Sequence, residues 1–138
     1  MVDGCEREAT SRQLFELIYG VEVKQVGIVF KNEFRHYHAS PDGLISDNAI
    51  LELKNPLLKT QCRYLLDGSL PSDYFGQCQM SLHTCDRDLL YFMSCYIGLP
   101  PFIVELRRDE VFIYKMAKAL EEFVAELHET VAKLRALQ

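Results

Sequence analysis

No apolar run in this 138-residue chain approaches the roughly 20 residues needed to cross a bilayer, and its polar start is unlike a signal peptide. A membrane role is thereby excluded, and a cytoplasmic location is expected. No C-x-x-C pair occurs among the five cysteines (Cys5, Cys62, Cys78, Cys85, Cys95), and their number is odd. That argues for reduced thiols in a cytoplasm rather than zinc, an iron–sulfur cluster or a disulfide framework. Basic charge is not in excess either, the net charge being −5. Nucleic-acid binders usually show a basic balance, so any phosphate contact must be local, with the acids gathered in a metal site or on the C-terminal helix. There is also no linker, repeat or low-complexity stretch. With about half its residues hydrophobic, the chain can bury a core as a single domain over 1–138.

What the chain does have is one short pattern. Ser40-Pro41-Asp42-Gly43 reads as a turn, with Pro41 fixing its entry and Gly43 free to take positive φ. Nine residues after Asp42 come Glu52 and then Lys54. Ala49 to Lys54 reads as a strand, ended by Pro56, which cannot donate to a sheet ladder. Side chains alternate along a strand, so Leu51 and Leu53 share one face and Ile50, Glu52 and Lys54 the other. A turn feeding back into an adjacent strand brings Asp42 beside Glu52. An ordinary amphipathic strand with a solvated charged face satisfies the same spacing, and spacing alone does not separate the two readings.

The chemistry gives a reason to gather these residue types. Mg²⁺ prefers carboxylate and water oxygens and usually takes one or two carboxylates from a protein. Two such ions, roughly 3.5–4 Å apart, stabilise both the attacking and the leaving oxygen of an in-line displacement at phosphorus. In that arrangement Asp42 bridges the ions, and Glu52 binds one of them with help from the Leu53 backbone carbonyl. Lys54 sits near metal and phosphate, either orienting the attacking water or taking its proton. Mn²⁺ suits the same oxygen ligands.

The remaining elements are coarser. A helix is expected from about Glu6 to Tyr19, with Leu14, Leu17 and Ile18 on its apolar side and Gly20 at its end. Val21 to Phe30 and Glu33 to His38 read as strands joined by a hairpin turn at Lys31-Asn32. Leu57 to Leu66 is expected to be helical, ended by Asp67-Gly68, and Ser72 is expected to cap a helix running to about Thr84. Leu89 to Tyr96 and Phe102 to Arg107 read as two further strands. A long helix follows from about 109 to 136, where Leu120, Phe123, Val124, Leu127, Val131 and Leu134 predict a stripe packed on the sheet, or a contact between subunits. The fold class is mixed α/β, a central mixed sheet flanked by helices.

Other constellations weigh less. His36-x-His38 has no third ligand nearby in sequence, which favours an ordinary strand or DNA-facing pair. His83 and Cys85 have no orienting acid, which disfavours a Cys/His nucleophile. Lys59, Arg63, Arg87, Arg107 and Arg108 are scattered and mostly expected to be solvated, with phosphate contact open to any of them.

Three blocks in order carry a resemblance over Gly4 to about Lys115. They are Gly4-Cys5-Glu6-Arg7-Glu8 with Arg12 and Leu14-Phe15-Glu16, then Ser40-Pro41-Asp42-Gly43-Leu44 with Leu51-Glu52-Leu53-Lys54-x-Pro56, and Phe75-Gly76-Gln77-Cys78-Gln79-Met80-Ser81. The chain resembles the lambda-exonuclease (YqaJ-type) viral recombination nucleases of the PD-(D/E)xK superfamily. The resemblance implies a restriction-endonuclease-like core. It puts Asp42, Glu52 and Lys54 on the catalytic triad and Glu8 where a helix-borne carboxylate helps hold a second metal. It sets Ser40 on the DNA phosphate and Gln77 in the lining of the site. For Glu8 the plainer alternative is a helix-surface salt bridge to Arg12, for Gln77 a surface or capping amide, and for Ser40 an ordinary turn serine.

The function implied is a Mg²⁺-dependent exonuclease that resects duplex DNA ends in phage-type recombination. Its partners are DNA ends, a single-strand annealing protein and, as a ring-shaped trimer, copies of itself, in the host cytoplasm if phage-encoded. Relatives carry a substantial portion before the Glu8 helix that grips duplex DNA and recognises the 5′-phosphorylated end, whereas this chain begins almost at that helix. A minimal nuclease, a split-gene product and a truncated prophage remnant are all consistent with that. Two other functions stay open: a structure-selective or nicking endonuclease on the same fold, and a non-catalytic DNA-binding or assembly module.

Overall fold

A computed structural model describes residues 4–137, and the chain divides into two compact units, Met1–Arg108 and Asp109–Gln138. The first unit opens with α1 (Gly4–Tyr19). Its packed line is Ser11, Phe15 and Tyr19, four residues apart as one helix face requires. Phe15 is fully buried, its ring 4.5 Å from that of Tyr19 and 5.2 Å, edge-on, from that of Tyr91. Leu17 and Ile18 are therefore not on the apolar side the spacing predicts. They are exposed, Leu17 to 81 %, whereas Leu14 packs on the core beside Phe15 as expected. Gly20 ends the helix as expected, at φ +64° with its N–H on the Glu16 carbonyl at 2.9 Å.

The strands are β1 (Val23–Lys24), β2 (Val29–Phe30), β3 (His38–Ala39), β4 (Gly43–Ile45), β5 (Ala49–Lys54), β6 (Leu89–Ser94) and β7 (Phe102–Arg107). Five form one sheet in the order β1-β4-β5-β6-β7. β5 and β6 are parallel and the other pairs antiparallel, so the sheet is mixed as expected. The two long strands expected over 21–38 do not form. β1 joins the main sheet, while β2 and β3 make a separate two-stranded arm. The arm's turn lies further along than Lys31-Asn32: the Asn32 side chain accepts the Phe34 N–H at 3.1 Å, and Arg35 adopts φ +54°. Such Asx turns compete with strand pairing.

Central position explains β5. Its face bearing Leu51 and Leu53 packs with Phe15, Val23, Ile45 and Met93. Its other face puts Ile50 among Tyr64, Leu82, Leu90 and Phe92, residues of α2 (Leu58–Asp67), α3 (Ser72–Cys85) and β6. Covered on both sides, it reads as a nearly continuous apolar run. α2 ends at Gly68, which takes φ +64°. Pro71, not Ser72, stands at the head of α3 and Ser72 is its first helical residue, a start that costs proline no hydrogen bond. β6 stops at Ser94, opposite the first residue of β7, which is why the strand does not run on to Tyr96. The four cysteines whose side chains are described (Cys62, Cys78, Cys85, Cys95) are free thiols. The Cys5 side chain lies outside the described residues.

The second unit is one helix, α4 (Glu110–Arg135), begun by Asp109, whose carboxylate accepts the Phe112 N–H at 2.9 Å. Along this helix Phe123, Leu127 and Leu134 are exposed, Phe123 to 61 %. No helix of the described residues is long and apolar enough to cross a membrane.

The corrected face of α1 is testable. Phe15→Ala is expected to lower unfolding stability by about 3–5 kcal/mol, the cost of deleting a buried ring. Leu17→Ala is expected to change it by less than about 0.5 kcal/mol. Urea unfolding followed by circular dichroism reads both, and equal losses would restore the leucine face.

Candidate active site

The antiparallel register of β4 and β5 pairs Gly43 with Leu51 and Leu44 with Ile50. Continued by one residue, it sets Asp42 against Glu52. The Asp42 Oδ2 accepts the Leu53 N–H at 2.6 Å, which ties the acid before β4 to the backbone of β5. Gly43 is needed here for closeness, not for the positive φ that a turn would demand. A Cβ at that position would overlap Val23 Cγ1 on β1. β1 thus packs tightly against the residue that follows Asp42.

Glu52 is only 3 % exposed, so β5 does not present a solvated charged face. Its Oε1 accepts two hydrogen bonds, from Lys54 Nζ at 2.6 Å and from Gln77 Nε2 at 2.7 Å. Gln77 reaches it from α3, although the residue is otherwise exposed. The Lys54 ammonium also lies 5.2 Å over the Tyr74 ring, a favourable cation–π placement. Pairing and hydrogen bonding are what make a carboxylate tolerable at this depth.

Glu8 arrives from α1 and hydrogen-bonds the Asp42 carboxyl. Burial, this bond and the charges of Glu52 and Glu8 raise the Asp42 pKa from 3.8 to about 7, against the lowering effect of the Leu53 N–H. Two carboxyls in contact cannot both ionise freely, which favours the protonated form of Asp42. For Lys54, burial pulls the pKa down. The hydrogen bond it donates to Glu52 and the charges of Glu52 and Asp42 outweigh it, and the net shift is upward. Beneath them the buried Cys78 thiol is pushed up to about 12, first by burial and then by Glu52, so it is an inert packing group.

The structure therefore gathers Glu8, Asp42, Glu52, Lys54 and Gln77. Ser40 is exposed at the end of the arm, two residues before Asp42. The alternative pairing of Glu8 with Arg12 is not among the ion pairs found between described residues, which include Lys31–Asp86 and Lys54–Glu52. Arg12 instead donates its Nε to the Asp42 carbonyl at 3.2 Å. Three supporting groups were invisible to spacing: Arg12 in this role, Tyr74 under Lys54, and buried Ser11, whose hydroxyl donates to Asn55 Oδ1 at 2.9 Å. His36 and His38 lie on the arm, and His83 Nε2 is 3.3 Å from the Tyr37 hydroxyl. Among the described residues no three or more His, Cys, Asp or Glu close round a point as a metal cage. The acids are collected on one side only.

Residues 1–88 match the model of the YqaJ-like viral recombinase domain. The chain is similar to LHK-Exo, whose crystal structure in complex with dAMP superposes with a TM-score of 0.89 at 27 % identity, over 96 % of this chain and 70 % of that one. A second crystal structure, of the alkaline exonuclease LHK-Exo from Laribacter hongkongensis, superposes with a TM-score of 0.73 at 25 % identity, over 97 % of this chain and 77 % of that one. Among curated proteins, none matches.

The raised pKa of Asp42 sets a direction for stability. Its carboxyl titrates near 3.8 when unfolded and near 7 when folded. The stability tied to its proton is thus complete below the first value and lost as pH rises through the second. In EDTA, the Tm of the wild-type protein is expected to fall across that window relative to Asp42→Asn, which keeps an oxygen for the Leu53 N–H but cannot ionise. A difference in Tm independent of pH would show that Asp42 does not carry the proton.

Proposed function

This chain belongs to the YqaJ-like viral recombinase family, and from that premise we propose that it is a Mg²⁺-dependent deoxyribonuclease, an exonuclease resecting duplex DNA ends. The observation that carries the reading is the meeting of Glu8, Asp42 and Glu52 beside the Lys54 ammonium. The family and the similarity to an alkaline exonuclease supply the class of reaction. The dAMP complex of that protein supports a nucleotide-bearing substrate here.

The donor set fits a hard divalent cation, because its oxygens are carboxylate and Mg²⁺ needs only one or two of these beside water. The Asp42 pKa is raised first by burial and then by the neighbouring carboxyls of Glu8 and Glu52, and a bound cation would favour the ionised form in place of the proton. When bound, the metal supplies charge stabilisation and an activated water for phosphodiester hydrolysis. Asp42 and Glu8 would hold it, together with the Glu52 Oε2 and the Leu53 carbonyl, with Mn²⁺ able to substitute for Mg²⁺. Lys54 and Gln77 already occupy Oε1 and so fix the carboxylate plane. With carboxylates raising its pKa, Lys54 is held as a cation. A divalent cation bound beside it would oppose that shift, so Lys54 would either orient the attacking water or take its proton. Ser40 and the second N–H of Gln77 are the phosphate contacts in this scheme. A single-strand annealing protein and further copies of the chain are the partners it would serve.

The deciding experiment is digestion of linear, 5′-phosphorylated duplex DNA with Mg²⁺ beside closed circular DNA. Loss of the linear substrate alone is expected, abolished by EDTA and by Glu52→Ala. Cleavage of the circle would make the protein an endonuclease, and survival of both substrates would leave a non-catalytic module. Lys54→Ala should remain folded, since Gln77 still partners Glu52, yet cleave about 10²–10⁴-fold more slowly. Full activity in that variant would remove Lys54 from the mechanism.

A further inference from the structure

The arm formed by β2 and β3 is fastened on one side only. Lys31 Nζ donates to the His83 carbonyl at 2.8 Å and lies 3.7 Å from Asp86. The Tyr37 ring stacks on His83 at 6.0 Å between centroids. Elsewhere the arm presents rings to solvent. Phe34 is 67 % exposed and stacks on His36 at 5.8 Å. Phe30, 37 % exposed, meets His38 edge-on at 5.7 Å and carries the Arg35 guanidinium 5.0 Å over its face. Arg35 holds a left-handed φ of +54° in this arrangement, uncommon for a side chain of its kind. Neither phenylalanine belongs to either core cluster, so core packing does not account for them. Only Ser40 and buried Pro41 separate the arm from Asp42.

We propose that this arm is a stacking platform for unpaired bases of the DNA strand beside the scissile phosphate, an inference that rests on the nuclease reading. Every base offers a π-face, so aromatic rings grip single strands without regard to sequence, and arginine adds a cation–π contribution. In a duplex those faces are stacked on neighbouring pairs and unavailable. Lys31 is engaged with Asp86 and the His83 carbonyl, so the arm's cation for a nucleic-acid strand is Arg35. Hydrolysis at the arm's base acts on one strand, which must part from its complement to reach the carboxyls. Stacking on Phe34 and Phe30 offsets the base stacking lost in that parting.

The test is binding, measured by fluorescence anisotropy in a Glu52→Gln background with Mg²⁺, where cleavage does not intervene. The probes are a blunt duplex and the same duplex with a short unpaired 5′ flap. The flapped duplex is expected to bind about tenfold more tightly, the order of one base–aromatic stack. Phe34→Ala should erase that preference, while Phe34→Trp should keep it. Equal affinity for the two probes, a preference surviving Phe34→Ala, or an equal weakening of both would overturn the platform. Cleavage by the wild-type chain with a preference indifferent to Phe34 would sink the arm alone. A Phe34-dependent preference without cleavage would sink the nuclease reading and leave the arm standing.

Discussion

Asp42 accepts the Leu53 N–H at 2.6 Å, and the arrangement of the other charged groups follows from that bond. It fixes the acid that precedes one strand to the backbone of the next, between Glu52 and Lys54 on the chain. Because side chains alternate, fastening the carboxylate at the N–H of residue 53 sets it between two groups that project on the opposite face from Leu53. On its other side β4 meets β1 closely, which is where Gly43 and its missing Cβ enter. Val23 of β1 fills the space that any larger residue would need. The glycine after the aspartate thus serves the chemistry indirectly, by letting an edge strand close.

The site holds like charges together at an energetic cost. Three carboxyls lie near one lysine, and burial, followed by the neighbouring carboxyls, raises the Asp42 pKa. A buried carboxylate such as Glu52 survives because Lys54 and Gln77 both donate to it. Breaking such a pair on one side typically costs about 3–5 kcal/mol. The apolar clusters on either face of β5 supply the stability against which this strain is set. Strain of this kind concentrates where a protein acts on a ligand.

What was legible in the sequence follows how strongly each element is constrained. β5 is covered on both faces and read correctly from Ala49 to Lys54, alternation included. β7 was read to the residue for a similar reason, a long pairing with its neighbour. Element faces set by a single aromatic were not legible. Counting apolar spacings chose Leu14, Leu17 and Ile18 on α1; Leu14 does pack on the core, but the other two do not, and Phe15 anchors the helix through its contacts with Tyr19 and Tyr91. The arm was read as longer strands because Val21 to Phe30 is rich in β-branched residues, and propensity does not show where partners run out. In the site, the spacing gave Asp42, Glu52 and Lys54, and the family pattern gave Glu8 and Gln77. Tyr74, Ser11 and the role of Arg12 depend on distances between elements far apart in sequence.

The family match covers residues 1–88, and every one of the gathered side chains, from Glu8 to Gln77, lies inside it. Their placement nonetheless depends on chain beyond that limit. β6 runs parallel to β5 over its whole length, pairing Glu52 with Phe92 and Lys54 with Ser94. The Cys95 N–H bonds the Lys54 carbonyl at 2.9 Å, holding the strand's end where the ammonium departs. β7 in turn closes β6, and Gln79 of α3 donates to the Arg107 carbonyl at 2.9 Å, fixing the helix that brings Gln77. A parallel pair is formed through a distant crossover. The acids therefore acquire their geometry only once residues 89–107 have docked. The family model spans the residues that supply the gathered side chains, and the sheet completed after them holds those side chains in place.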